Sequence, residues 1–203
     1  MSTVKTQAVV DKTVEISYDG DPSAVWGWDD IQGNTASAKL GGDAPTWRDY
    51  AYGIGGGVLF KALGFALADE LYMTVQTSHG VALNQILYEH IHFTPASDGT
   101  GKKFKFQLDV IAAGINGVWA VPTGSPFVGE KTMASDLSGT HSVLGFEDIP
   151  AVNTTVSTLY KMKLTRIAAS VVEDEFDGEV FVEFMDGHVK RDQGRGSRQE
   201  YIK

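Results

Sequence analysis

Lys103-Phe104-Lys105-Phe106-Gln107-Leu108-Asp109-Val110 alternates apolar and polar residues without a break. Side chains two apart share one face of a strand, so this segment carries a dry face of Phe104, Phe106, Leu108 and Val110 and a wet face of charged and amide groups. The same period recurs in Glu70–Thr77, in residues 155–169 (Val156, Thr158, Tyr160, Met162 and Leu164 in register) and in Val180–Met185. Asn84–Phe93 reads as a further strand. Val58–Leu71 fits two patterns, a helix over Leu59–Leu71 weakened by its glycines, or a strand through Val58, Phe60 and Ala62. Residues 112–140, rich in Gly, Ser and Thr and containing Pro, read as one long partner-facing loop. About eight strands and at most one short helix favour an all-β chain, an antiparallel jelly-roll-like β-sandwich. A parallel α/β fold would need regular helical crossovers, and the chain offers one candidate.

Residues 1–20 read as an extended N-terminal arm, with strand-like Ala8-Val9-Val10 and Val14–Tyr18 broken at Asp19-Gly20-Asp21-Pro22. Residues 21–203 are left for the sandwich domain. Trp26, Trp28 and Trp47 lie close together in sequence, and so much aromatic area belongs in a core or against a partner. General burial statistics favour the core.

The 203 residues carry 17 basic and 26 acidic side chains, a formal charge of −9, which argues against a nucleic-acid partner because phosphate backbones are bound through clustered Lys and Arg. Cysteine is absent, removing disulfides, thiolate metal sites and cysteine nucleophiles together. No run approaches the roughly 18 apolar residues of a membrane span, and Met1–Thr6 lacks a signal-peptide pattern, so no membrane partner and synthesis in the cytosol are expected.

The most chemically suggestive stretch is Glu89-His90-Ile91-His92, where a strand points both imidazoles to one side. Asp186 or His188 would supply a third ligand, but two strand histidines are commonly surface or hydrogen-bonded residues, and neither a metal nor any other cofactor is expected. Gly53–Gly57 lacks the Lys-Ser/Thr of a phosphate loop. Ser78-His79 has no nucleophile-elbow context, and Asp29-Asp30 would point to opposite faces. No enzyme is expected. Residues 171–186 hold seven acids and no base, whereas 187–203 hold Lys190, Arg191, Arg195, Arg198 and Lys203 against two acids. That basic C-terminal segment reads as an arm for docking on an adjacent copy or an acidic scaffold.

Asp148-Ile149-Pro150, Ser157–Tyr160, Leu164-Thr165-Arg166, Phe176–Val180, Asp186-Gly187-His188 and the ending Gly196–Lys203 resemble the C-terminal part of a group of structural proteins of tailed bacteriophages. Trp28-Asp29-Asp30, Pro45-Thr46-Trp47 and the His90/His92 strand extend the resemblance over about residues 26–203. It departs at Gly187, where an apolar residue is expected, and at the more acidic Glu173-Asp174-Glu175. The resemblance implies a virion component, usually a homotrimer, on the capsid exterior or a tail appendage. The leading expectation is a capsid decoration (cement) protein that bridges the major capsid protein or another virion protein, using Trp26, Trp28, Trp47, Trp119, Lys190, Arg191, Arg195 and Arg198 as contact candidates. A second reading is a tail-fibre or receptor-binding domain whose 112–140 loop, with Trp119, meets a host surface glycan or protein. A weaker third is a metal-dependent hydrolase using His90, His92 and Asp186 or His188.

Overall fold

A computed structural model describes residues 27–35, 38–52, 58–134, 138–152 and 155–191. The expected arm, Trp26, Gly53–Gly57, Arg195 and Arg198 lie outside the described residues. The strands are β1 (Trp28–Asn34), β2 (Lys39–Leu40), β3 (Thr46–Tyr50), β4 (Phe60–Phe65), β5 (Glu70–Gln76), β6 (Tyr88–Pro95), β7 (Lys103–Ala113), β8 (Phe127–Thr132), β9 (Ser142–Gly145), β10 (Leu159–Ile167) and β11 (Val180–Lys190). One sheet has the order β3-β4-β11-β6-β9, with β1 also paired to β11; the other has the order β2-β5-β10-β7-β8. Every strand pairing is antiparallel, and the two sheets form a jelly-roll-like sandwich.

The alternating segment behaves as its period requires. Phe104, Phe106, Leu108 and Val110 are fully buried on β7, between the central β10 and the edge strand β8 of the second sheet. Phe104 meets Phe93 of the first sheet edge-on at 4.9 Å, and Phe106 meets Phe65 of the same sheet at 5.5 Å, so aromatic edge-to-face pairs join the layers. Tyr160, Met162 and Leu164 of β10 and Ile91, Met185 and Val189 of the first sheet complete this core.

Several expectations are corrected. Val58–Leu71 is not helical: β4 and β5 form a tight connection through Ala68 (φ 75°), because Leu63 and Phe65 must enter the core from one strand and Leu71 and Met73 from the next. The strand expected from Asn84 starts at Tyr88, after Asn84 has taken a left-handed conformation (φ 57°). The 112–140 excursion contains β8, and β9 follows it; each buries a single large apolar residue, Phe127 and Leu144, too few to show a period. Trp28 (52% exposed) and Trp47 (44% exposed) face outward rather than filling the core.

Arg166 ends the dry face of β10 and is 1% exposed. Its guanidinium donates to the carbonyls of Phe65 (2.8 Å), Gly178 (2.6 Å) and Phe176, and pairs with Glu175 at 3.2 Å. The Arg166 backbone is held as well, its carbonyl accepting from the Ala68 N–H and its own N–H donating to the Asp69 carbonyl. One fork-shaped cation thus ties β10, the end of β4 and the turn entering β11, a task that needs several donors in one plane. Arg166→Met should cost about 3–5 kcal/mol, since it orphans three carbonyls and a half-buried carboxylate. Urea unfolding followed by tryptophan fluorescence measures this; a loss under about 1 kcal/mol would contradict the clamp.

Candidate metal centre

The outer face of the first sheet is set by the register between β11 and β6. Val182 faces Phe93 and both are buried, but Glu183 is an extra residue in β11, so the pairing resumes as Phe184–His92, Asp186–His90 and His188–Tyr88. Such a bulge shifts the phase of everything beyond it. Before Glu183 the even-numbered residues point inward; after it Met185, Gly187 and Val189 do, and Phe184, Asp186 and His188 turn outward. On the other edge of β11, Asp30 of β1 lies opposite His188. Glu183 is held by Tyr52, whose hydroxyl donates to its carboxylate at 2.5 Å, and its carbonyl accepts from Thr35 Oγ1 at 2.6 Å.

Four of the chain's five histidines gather on this face. His90 Nε2 lies 3.1 Å from His92 Nε2, and Asp186 Oδ2 lies 3.7 Å from the first and 3.9 Å from the second. His92 Nδ1 is 2.6 Å from His141 Nε2, just before β9, and the Phe184 ring stacks on His92 at 4.2 Å. His188 packs on His90 with ring centroids 4.8 Å apart, and its Nε2 is 3.4 Å from Asp30 Oδ1. Asp186 is 6% exposed, and its Oδ1 is buried with no hydrogen-bond partner. The sequence candidates His90, His92 and Asp186 therefore converge; His188 stands beside them with Asp30 in a more exposed group that shares Asp186. Sequence reasoning missed His141 and Asp30, whose places depend on the β6–β9 and β1–β11 registers.

Burial lowers the His90 imidazole below its ordinary value, against the opposing pull of Asp186. Burial also lowers His92, and the neighbouring His90 and His141 add to this. Both rings thus favour the neutral form, the one that ligates metals.

Beneath this face, Glu89 points into the sandwich, fully buried, with neither carboxylate oxygen hydrogen-bonded. Gly187 lies opposite it: a Cβ there would collide with Glu89 Oε2 and stand 2.6 Å from Leu87 Cδ1. Glycine is thus required at 187, because Glu89 fills the space that a side chain there would occupy. Burial pushes the Glu89 carboxyl well above the usual carboxylate range, and the Asp186 charge adds to the shift.

Among the other candidates, Trp28 meets Tyr88 edge-on at 5.5 Å with Lys190 Nζ 5.9 Å from its centroid. The Arg191 backbone donates to Gly27. Trp119 lies on the far side of the molecule, under Lys161 Nζ at 4.8 Å. Ser78 Oγ donates to Asp29 at 2.7 Å while Asp30 faces His188, so the adjacent aspartates do diverge. The outer face of the second sheet carries a cleft of about 780 Å³ lined by Leu40, Tyr72, Ile111 and Val121 together with Lys161 and Asp109.

No family model and no curated protein matches this chain. Among solved structures, a GH115 4-O-methyl-α-glucuronidase, BtGH115A, is 15% identical over 76% of this chain at a TM-score of 0.43, and the chain spans only 17% of it. The C-terminal CBM6 of LamC, a laminarinase from the marine organism Zobellia galactanivorans, is 10% identical (TM-score 0.39), covering 79% of this chain and 99% of that one. The structure of infectious bursal disease virus strain Gt is 10% identical (TM-score 0.36), covering 96% of this chain and 38% of that one. Likeness at this level carries no assignment of function.

Glu89→Gln tests the buried carboxyl. The folded state holds this proton more tightly than the unfolded chain, whose carboxyl has an ordinary value near 4.5, so native stability is progressively lost as pH rises above that value. Between about pH 5 and 8, in chelator, the melting temperature of the wild type should fall relative to that of Glu89→Gln. Parallel curves would contradict a proton held on Glu89.

Proposed function

We propose that this chain is a structural component of a tailed-phage virion, a capsid decoration protein that assembles as a homotrimer and binds the outer shell. The observation that carries the reading is the amount of apolar surface left uncovered on the second sheet. Leu40, Tyr72, Ile111 and Leu159 stand exposed on or beside its strands, and the β7–β8 connection adds Ile115, Val118, Trp119 and Val121, with Val118 90% exposed. Large apolar side chains left in water, here interleaved with Lys161, Lys163 and Asp109, mark an interaction face rather than a free one. The resemblance of residues 26–203 to phage structural proteins supports a virion as the setting, and the net charge of −9 suits a position away from packaged DNA. A ligand that binds only the assembled lattice stabilises it by mass action.

A second reading, a receptor-binding domain, is favoured by one feature: Tyr72 lines the cleft and Trp119 stands near it on Lys161, aromatic groups of the kind that stack on sugar rings. Binding of the full chain to a glycan array, without shell binding, would select it.

Light scattering on the purified chain should give a three-chain mass, and the protein should co-sediment saturably with undecorated phage shells. Trp119→Ser combined with Val121→Ser should weaken shell binding at least about tenfold while leaving the circular dichroism unchanged, since both residues are exposed and neither belongs to the core. A monomer that ignores shells would overturn the proposal.

A further inference from the structure

We propose that His90, His92 and Asp186 form a binding site for one divalent cation of the zinc class, with an open position toward solvent. The circle through His90 Nε2, His92 Nε2 and Asp186 Oδ2, whose separations are 3.1, 3.7 and 3.9 Å, has a radius of about 2.1 Å, the length of zinc–imidazole and zinc–carboxylate bonds. A cation at its centre would meet all three donors with no side-chain movement. Lifting it by about 0.5 Å toward a fourth ligand leaves the bonds near 2.1 Å, which is the open tetrahedral arrangement of three protein ligands and one exchangeable one.

The surroundings fit the same role. Asp186 is buried, with its Oδ1 unpartnered and its Oδ2 3.7 and 3.9 Å from the two imidazoles, a costly arrangement for a carboxylate unless a cation compensates its charge. His92 uses its other nitrogen on His141, the outer-shell contact that fixes ring orientation around a bound metal. Phe184 stacks on one side of His92 and sets the ring plane. The ligands come from adjacent strands, and the backbone register, not a mobile loop, holds their spacing. Two imidazoles and one carboxylate suit zinc-class ions and disfavour magnesium, which prefers all-oxygen octahedral sites.

The test is equilibrium dialysis of the chelator-stripped full chain against Zn²⁺ alone, with bound metal read by mass spectrometry and Mg²⁺ as comparison. The wild type should take up one Zn²⁺ per chain saturably and no Mg²⁺. Asp186→Asn should weaken uptake at least about tenfold, and His141→Phe by about 10–100-fold through the outer shell alone. His79→Gln, outside the cluster, should bind as the wild type does. A chain that takes up no zinc, or one whose uptake survives His90→Ala and His92→Ala, overturns the proposal. Should those variants not fold, proton NMR of the wild type decides: Zn²⁺ should shift the ring resonances of His90 and His92 ahead of that of His79, and uniform broadening of all histidines would overturn it.

Discussion

The extra residue at Glu183 governs what this sandwich presents to the outside. β11 is the strand on which the first sheet depends: β6 lies along one edge, and β4 and then β1 share the other. Side chains alternate with a period of two, so one inserted residue exchanges the inward and outward sets beyond it. Without the bulge, Asp186 and His188 would be forced into the apolar core and Met185 and Val189 into water. With it, the core keeps its methionine and valine, and the polar residues meet His90, His92 and Asp30 on the outer face.

The short motifs singled out in the sequence divide into two structural groups. Leu164-Thr165-Arg166 and Phe176-Asp177-Gly178 are the two sides of the arginine clamp, since the carbonyls of Phe176 and Gly178 accept from Arg166. Trp28-Asp29-Asp30, His90, His92 and Asp186-Gly187-His188 build the outer cluster. Gly187 and Glu89 are matched across the facing strands, since the Glu89 carboxyl reaches into the space that a side chain at Gly187 would need.

Strands with a strict period were legible in the sequence, because Phe104 through Val110 and Tyr160 through Leu164 have one face dry along their whole length. β8 and β9 were not, since strands at the sheet edges bury only one or two large side chains each and carry no detectable alternation. The β4–β5 connection was ambiguous because Phe60–Phe65 is buried on both sides at its end, where helix and strand patterns coincide. His90 and His92 were recognisable as a same-face pair with Asp186 or His188 as third partner, but the choice between those two depended on a bulge that local periodicity does not encode. The exposure of Trp28 and Trp47 was likewise out of reach, because aromatic content says how much area must be covered, not whether this chain or another covers it.

Both outward faces carry exposed apolar side chains, Trp28, Trp47 and Phe60 on the first sheet and Leu40, Tyr72 and Ile111 on the second, and the first also gathers nitrogen and oxygen donors at His90, His92 and Asp186. The claim on which the most rests is that the bulged β6–β11 register brings three donors around one point. Diffraction at the zinc absorption edge, from crystals of the full chain grown with Zn²⁺, tests it most directly. The account predicts an anomalous peak about 2 Å from His90 Nε2, His92 Nε2 and Asp186 Oδ2. An empty cluster with zinc bound elsewhere, or a β11 paired without the Glu183 bulge, would contradict it.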